Sequence, residues 1–150
     1  MCKITEAYTP DEPVQGFKVA VKIEDRYLSP ATGIEYKPGP VEMATFETVK
    51  SKPRVYGGFR DDLLDPKSLY YKREYKGLTA VFANRRDARR LREALATSMV
   101  PSEQLFGEFV VVSMTLSDVR YKGTYDVSFD DANLPVVMGA NIISIEDANQ

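Results

Sequence analysis

From Gly77 to Met99 the chain reads as a short apolar strand, Leu78 to Phe82, running directly into the one pronounced helical pattern, and five arginines fall within eight residues of that helix. Asn84 stands where an N-cap belongs, because its side-chain oxygen can accept from an orphan N–H of the first turn. Asp87 follows three residues later, and its charge suits the positive end of the helix dipole. Ala88, Leu91, Leu95 and Met99 recur at helical spacing and form one narrow apolar stripe. Arg85, Arg89 and Arg92 lie along one flank of that stripe, and Arg86 and Arg90 along the other. Val100-Pro101 ends the pattern, since the residue before proline avoids the α region. The spacing predicts a helix over about 84–99.

The rest of the chain reads as strands and turns. Phe17, Val19, Val21 and Ile23 alternate with Lys18 and Lys22, the signature of a half-buried strand. Glu24-Asp25 reads as a turn, with Arg26-Tyr27-Leu28 returning as a hairpin partner. Ser29 to Gly33 and Lys37 to Pro40 carry turn chemistry, with Ile34 to Tyr36 a short strand between them. Val41 to Val49 favours irregular or extended structure. Phe109 to Met114 is a continuous, mostly β-branched run, as expected of a central strand covered on both faces. Lys122-Gly123 reads as a turn, Tyr125 to Phe129 as another alternating strand, Asp130 to Pro135 as an acidic loop and Asn141 to Glu146 as the last strand. Residues 1–15 are expected to be a loose or extended lead-in. Seven to nine short strands and one helix predict an α+β fold: a single domain over 1–150, a mostly antiparallel twisted sheet with the helix packed on it.

Composition excludes several chemistries. There is no histidine and one cysteine, Cys2. Ser-His-Asp and Cys-His hydrolase machinery, histidine general acid–base work and His- or Cys-based zinc sites are therefore absent. No phosphate-binding glycine loop and no calcium-binding loop occurs. No catalytic residue, metal site or cofactor is expected. A lone cysteine, the absence of an apolar leader and the lack of a membrane-length apolar stretch predict a cytoplasmic protein.

The net charge of −2 hides a segregation. Residues 1–49 carry −3, residues 50–92 carry +8 and residues 93–150 carry −7. Within the basic middle, Tyr70, Tyr71, Lys72, Arg73 and Lys76 interleave aromatics with cations, a mixture able to stack bases and follow phosphates. The candidate contact set is therefore Arg85, Arg86, Arg89, Arg90, Arg92, Tyr70, Tyr71, Lys72, Arg73 and Lys76. Arginine suits the role because its planar fork holds phosphate or carboxylate bidentately.

Gly16 to Val19, Tyr27 to Gly33, Tyr36 to Gly39, and Gly77 to Phe82 with Asp87-Ala88 make the chain resemble small uncharacterised accessory proteins of phages and prophages. The resemblance implies a viral accessory protein acting on host machinery or host defence, in the host cytoplasm. The order of Thr79 to Arg90, Phe109 to Met114 and Ile142 to Ile145 also resembles the layout of ADP-ribosyltransferase-like domains. Its catalytic pattern is missing: there is no histidine and no Glu-x-Glu pair, and Lys18 and Lys22 stand where an arginine belongs. The leading expectation is a non-catalytic binding protein whose basic helix face contacts nucleic acid or an acidic protein, and which would itself inhibit a host defence complex. The alternatives are a nucleotide-binding enzyme with an atypical site, Glu108 being its candidate glutamate, and an assembly protein that forms salt-sensitive oligomers.

Overall fold

The computed structural model describes residues 2–30, 32–43, 77–98, 107–127 and 132–149. In chain order the elements are β1 (Cys2–Ala7), β2 (Val14–Ile23), β3 (Arg26–Leu28), β4 (Glu35–Tyr36), β5 (Gly39–Pro40), β6 (Thr79–Phe82), α1 (Arg85–Ser98), β7 (Glu108–Val127) and β8 (Ala132–Asp147). Every strand pairing among them is antiparallel.

The expected α+β class is overturned. Among the described residues strands hold 60% and helix 14%, with one short helix, so the fold is sheet-dominated rather than a balance of the two. The physical reason lies in the C-terminal third, where short strands separated by turns were expected. Instead β7 and β8 are two continuous strands of 20 and 16 residues paired from Val112–Asp147 to Val127–Ala132. Lys122-Gly123 is not a turn: Gly123 is buried and pairs with both Ile4 and Val136. Leu134 and Pro135 belong to β8, opposite Tyr125 and Thr124. The strand changes direction without a loop through register shifts at Thr115/Leu116 and Val119/Tyr121, with Asp118 between them at φ 50°. Such bulges bend a strand and increase its twist while keeping the ladder on either side.

The sheet runs β1-β7-β8-β6-β2-β3-β4, with β5 attached to β8 and a further pairing between β7 and β2. That pairing makes β2, β7, β8 and β6 a closed ring, completed where Phe17 meets Phe82. Gly16 makes the closure fit: a Cβ there would sit 2.4 Å from Val81 Cγ2 and 2.8 Å from the Phe82 carbonyl oxygen. The lead-in expected over 1–15 contains β1, whose partner is the far half of β7, and the first residues of β2.

Both faces of β2 and the first half of β7 are covered. On one, Val19 opposes Val111 and Val21 opposes Phe109, joined by Leu28, Phe82, Val136 and Met138. The stripe of α1, Ala88 with Leu91 and Leu95, packs on this cluster. On the other face Ala20, Val110 and Val112 sit with Tyr27, Tyr36 and Ile145. Met114, Leu116 and Ile142 continue that burial with Val81 and Val119. At about 1.5–3 kcal/mol per fully buried aliphatic side chain, these clusters outweigh anything the surface contributes.

Candidate functional site

The helix α1 follows β6 after Ala83 and Asn84. Asn84 Nδ2 donates to Asp87 Oδ2 at 3.4 Å, and Asp87 is only 5% exposed beneath the first turn. A carboxylate thus sits at the positive end of the helix dipole, which favours it there. It offsets the two arginines, Arg85 and Arg86, that open the helix. In the last turn Thr97 Oγ1 donates back to the Glu93 and Ala94 carbonyls.

The five arginines differ in what they touch. Arg85 lies over the ring of Phe17, its guanidinium carbon 5.3 Å from the centroid, a cation–π contact that ties the start of the helix to β2. Arg92 Nη1 donates to Asn149 Oδ1. The same oxygen accepts the Val111 N–H at 3.1 Å, while the Ala148 N–H donates to the Val111 carbonyl at 2.9 Å. Asn149 is held in turn by its own N–H, which donates to Asp147 Oδ1 at 2.9 Å. Arg85 and Arg92 therefore anchor α1 to the sheet. Arg86 and Arg90 are exposed, and Arg89 is half-buried. Arg86 and Arg89 form no ion pair among the described residues. Glu93 is the exposed acid of the helix.

The acidic C-terminal third directs described carboxylates elsewhere. Asp147 pairs with Lys22 at 3.8 Å, and Asp118 with Arg120 at 2.9 Å. The Asp118–Arg120 hydrogen bond holds the Asp118 carboxyl below its ordinary range and raises the Arg120 guanidinium. Tyr70, Tyr71, Lys72, Arg73 and Lys76 lie outside the described residues. Glu108 is exposed at the start of β7, in register with Lys22.

Two groups escaped the sequence reading. Lys18, assigned there to a wet face, is half-buried: its Nζ donates to the Ala80 carbonyl at 2.7 Å and lies 5.4 Å from the Tyr36 ring centroid. Asn149, the partner of Arg92, belongs to no pattern that periodicity could reveal. Among the described residues no cluster of three or more His, Cys, Asp or Glu side chains is placed to hold a metal ion. Among them, too, no helix is long and apolar enough to cross a membrane. No family model, no curated protein and no solved structure matches the chain.

Proposed function

We propose that this chain is a non-catalytic binding protein that holds a nucleic-acid backbone on the outward side of α1, through Arg86, Arg89 and Arg90. The observation that carries this reading is the division of the arginines. Arg85 and Arg92 are engaged by Phe17 and Asn149, whereas Arg86 and Arg89 form no ion pair among the described residues, and Arg86 and Arg90 are exposed. Guanidinium groups on a rigid helix are pre-organised for phosphate oxygens, and a one-sign patch also speeds encounter with a polyanion. A phage accessory protein acting on a nucleic-acid-loaded host complex would use the same face.

The test is fluorescence anisotropy with labelled single- and double-stranded oligonucleotides from about 50 to about 500 mM salt. The wild type should bind at the low end and release as salt rises. The double variant Arg86→Glu/Arg89→Glu should lose at least about tenfold in affinity while keeping its circular-dichroism melt, because neither arginine is buried and neither forms an ion pair among the described residues. Equal binding by the variant overturns the assignment. Failure of the wild type to bind any oligonucleotide, with capture of an acidic protein that survives nuclease, would transfer the face to a protein partner.

A further inference from the structure

We infer that Asn149 is a positioning residue for the contact proposed above, on whose correctness this step depends: it fixes the roll of α1 on the sheet and with it the aim of Arg86 and Arg89. The pairing of β7 with β8 ends at Val112 and Asp147. One residue on, the Ala148 N–H donates to the Val111 carbonyl at 2.9 Å. The Val111 N–H donates at 3.1 Å to Asn149 Oδ1, a side-chain oxygen in the place of a ladder carbonyl. An amide oxygen has two lone pairs, and here the second accepts from Arg92 Nη1. The Asn149 N–H donates to Asp147 Oδ1 at 2.9 Å, and Asp147 pairs with Lys22 at 3.8 Å. Lys22, Asp147, Asn149 and Arg92 thus join β2, the end of β8 and α1, with the fully buried Val111 as their fixed point.

The apolar stripe does not set the roll by itself. Ala88 is buried, but Leu91 and Leu95 are half-buried, and apolar attraction has no direction. A hydrogen bond has one. Arg92 stands one residue after Leu91 and three after Arg89, so a helix held at Arg92 has a set angle about its own axis. The contact of Arg85 with Phe17 lies about two turns earlier on the same side. A helix so held presents Arg86 and Arg89 with less to order on binding, and preorganisation of this kind raises affinity.

The experiment measures oligonucleotide affinity by anisotropy and amide hydrogen exchange over residues 89–97, at a temperature where each protein's melt shows it folded. The proteins are the wild type, Asn149→Ala, Asn149→Asp, Arg92→Met and the double variant Asn149→Ala/Arg92→Met. Asn149→Ala keeps the charge of the chain and releases a cation, so a patch acting by charge alone would bind equally or more tightly. Positioning predicts the opposite: affinity falls about three- to tenfold, the cost of ordering one long side chain on binding. Arg92→Met leaves the bond from the Val111 N–H in place, falls to a similar degree, and carries the test if Asn149→Ala does not fold. The double variant should fall no further than the single ones, because both cut one link. Asn149→Asp keeps an acceptor for both donors, so it should bind more tightly than Asn149→Ala. Exchange over 89–97 should speed in Asn149→Ala and Arg92→Met and stay as in the wild type in Asn149→Asp. Equal or tighter binding by Asn149→Ala and Arg92→Met, additive losses, unchanged exchange, or a loss that Asn149→Asp does not relieve would each overturn the role of Asn149. Loss of the parent reading shows differently: the wild type binds no oligonucleotide, or Arg86→Glu/Arg89→Glu binds as well as the wild type, and this inference then falls with it.

Discussion

The two halves of β7 are one strand by hydrogen bonding and two by environment. From Phe109 to Leu116 it is paired with β2, and from Val112 onward with β8 as well, and Thr115 is the one residue of that stretch not buried. Beyond Asp118 it lies between β1 and β8, with Arg120 and Lys122 exposed and Val119 and Gly123 buried. The first half is the centre of the molecule, with apolar clusters on both faces. The second is a half-wet strand, in which Lys122 sits 4.2 Å from the Tyr8 ring and Thr5 Oγ1 donates to the Lys122 carbonyl. Strand length therefore says nothing about tolerance to change, because what surrounds each face decides it.

Charge insertion breaks the comparison most sharply. Val111→Asp places a carboxylate at a fully buried site and should cost more than about 4 kcal/mol, enough to unfold the domain in a urea titration. Thr124→Asp, in the second half and opposite Lys3, should cost under about 1 kcal/mol. Similar losses at the two sites would show that the halves share one environment.

Closure of the ring gives a middle-sized effect. Gly16 pairs with Met114 in the first half, and Gly16→Ala drives a methyl into Val81. It should destabilise by about 1–3 kcal/mol, the usual cost of overpacking. Val81→Ala in the same chain should return part of the loss, giving a non-additive double-mutant cycle. Strict additivity would mean that the two residues do not meet.

The smallest effect belongs to the bend itself. Arg120→Gln removes the hydrogen bond that lowers the Asp118 pKa, so the carboxyl should titrate closer to its ordinary value in an NMR pH series. A carboxyl lowered in the folded state adds stability above its unfolded pKa and loses that contribution as pH falls through the folded value. Both side chains are more than half exposed, so the acid limb of the melting curve should scarcely move. A large shift of that limb would mark the bend as a stability centre, contrary to its wet surroundings.

These contrasts explain what the sequence could reveal. The alternation of Phe17, Val19 and Val21 and the unbroken run Phe109 to Met114 report burial directly, and both stretches are strands. A bulge leaves no such mark. Lys122-Gly123 looks like punctuation in sequence, yet the strand passes straight through it, paired with β1 on one side and β8 on the other. That misreading divided β7 into pieces and inflated the weight of the helix. The five arginines were legible from helical spacing, but the anchoring of Arg85 and Arg92 to the sheet was not. Phe17 and Asn149, which hold them, are far from the helix in sequence and carry no periodic signal.

The ring also governs how this chain must be assembled in time. Val19 finds its partner at Val111, 92 residues further on. Joining points so far apart costs about 4 kcal/mol of loop entropy beyond a constant, before any contact between them forms. Sheets built on such distant pairings fold on the millisecond-to-second scale. On a ribosome, β2 stands without its central neighbour until the first half of β7 has emerged. Throughout that interval the apolar edge from Phe17 to Ile23 is open to other strands, and it is then that the chain is most exposed to aggregation.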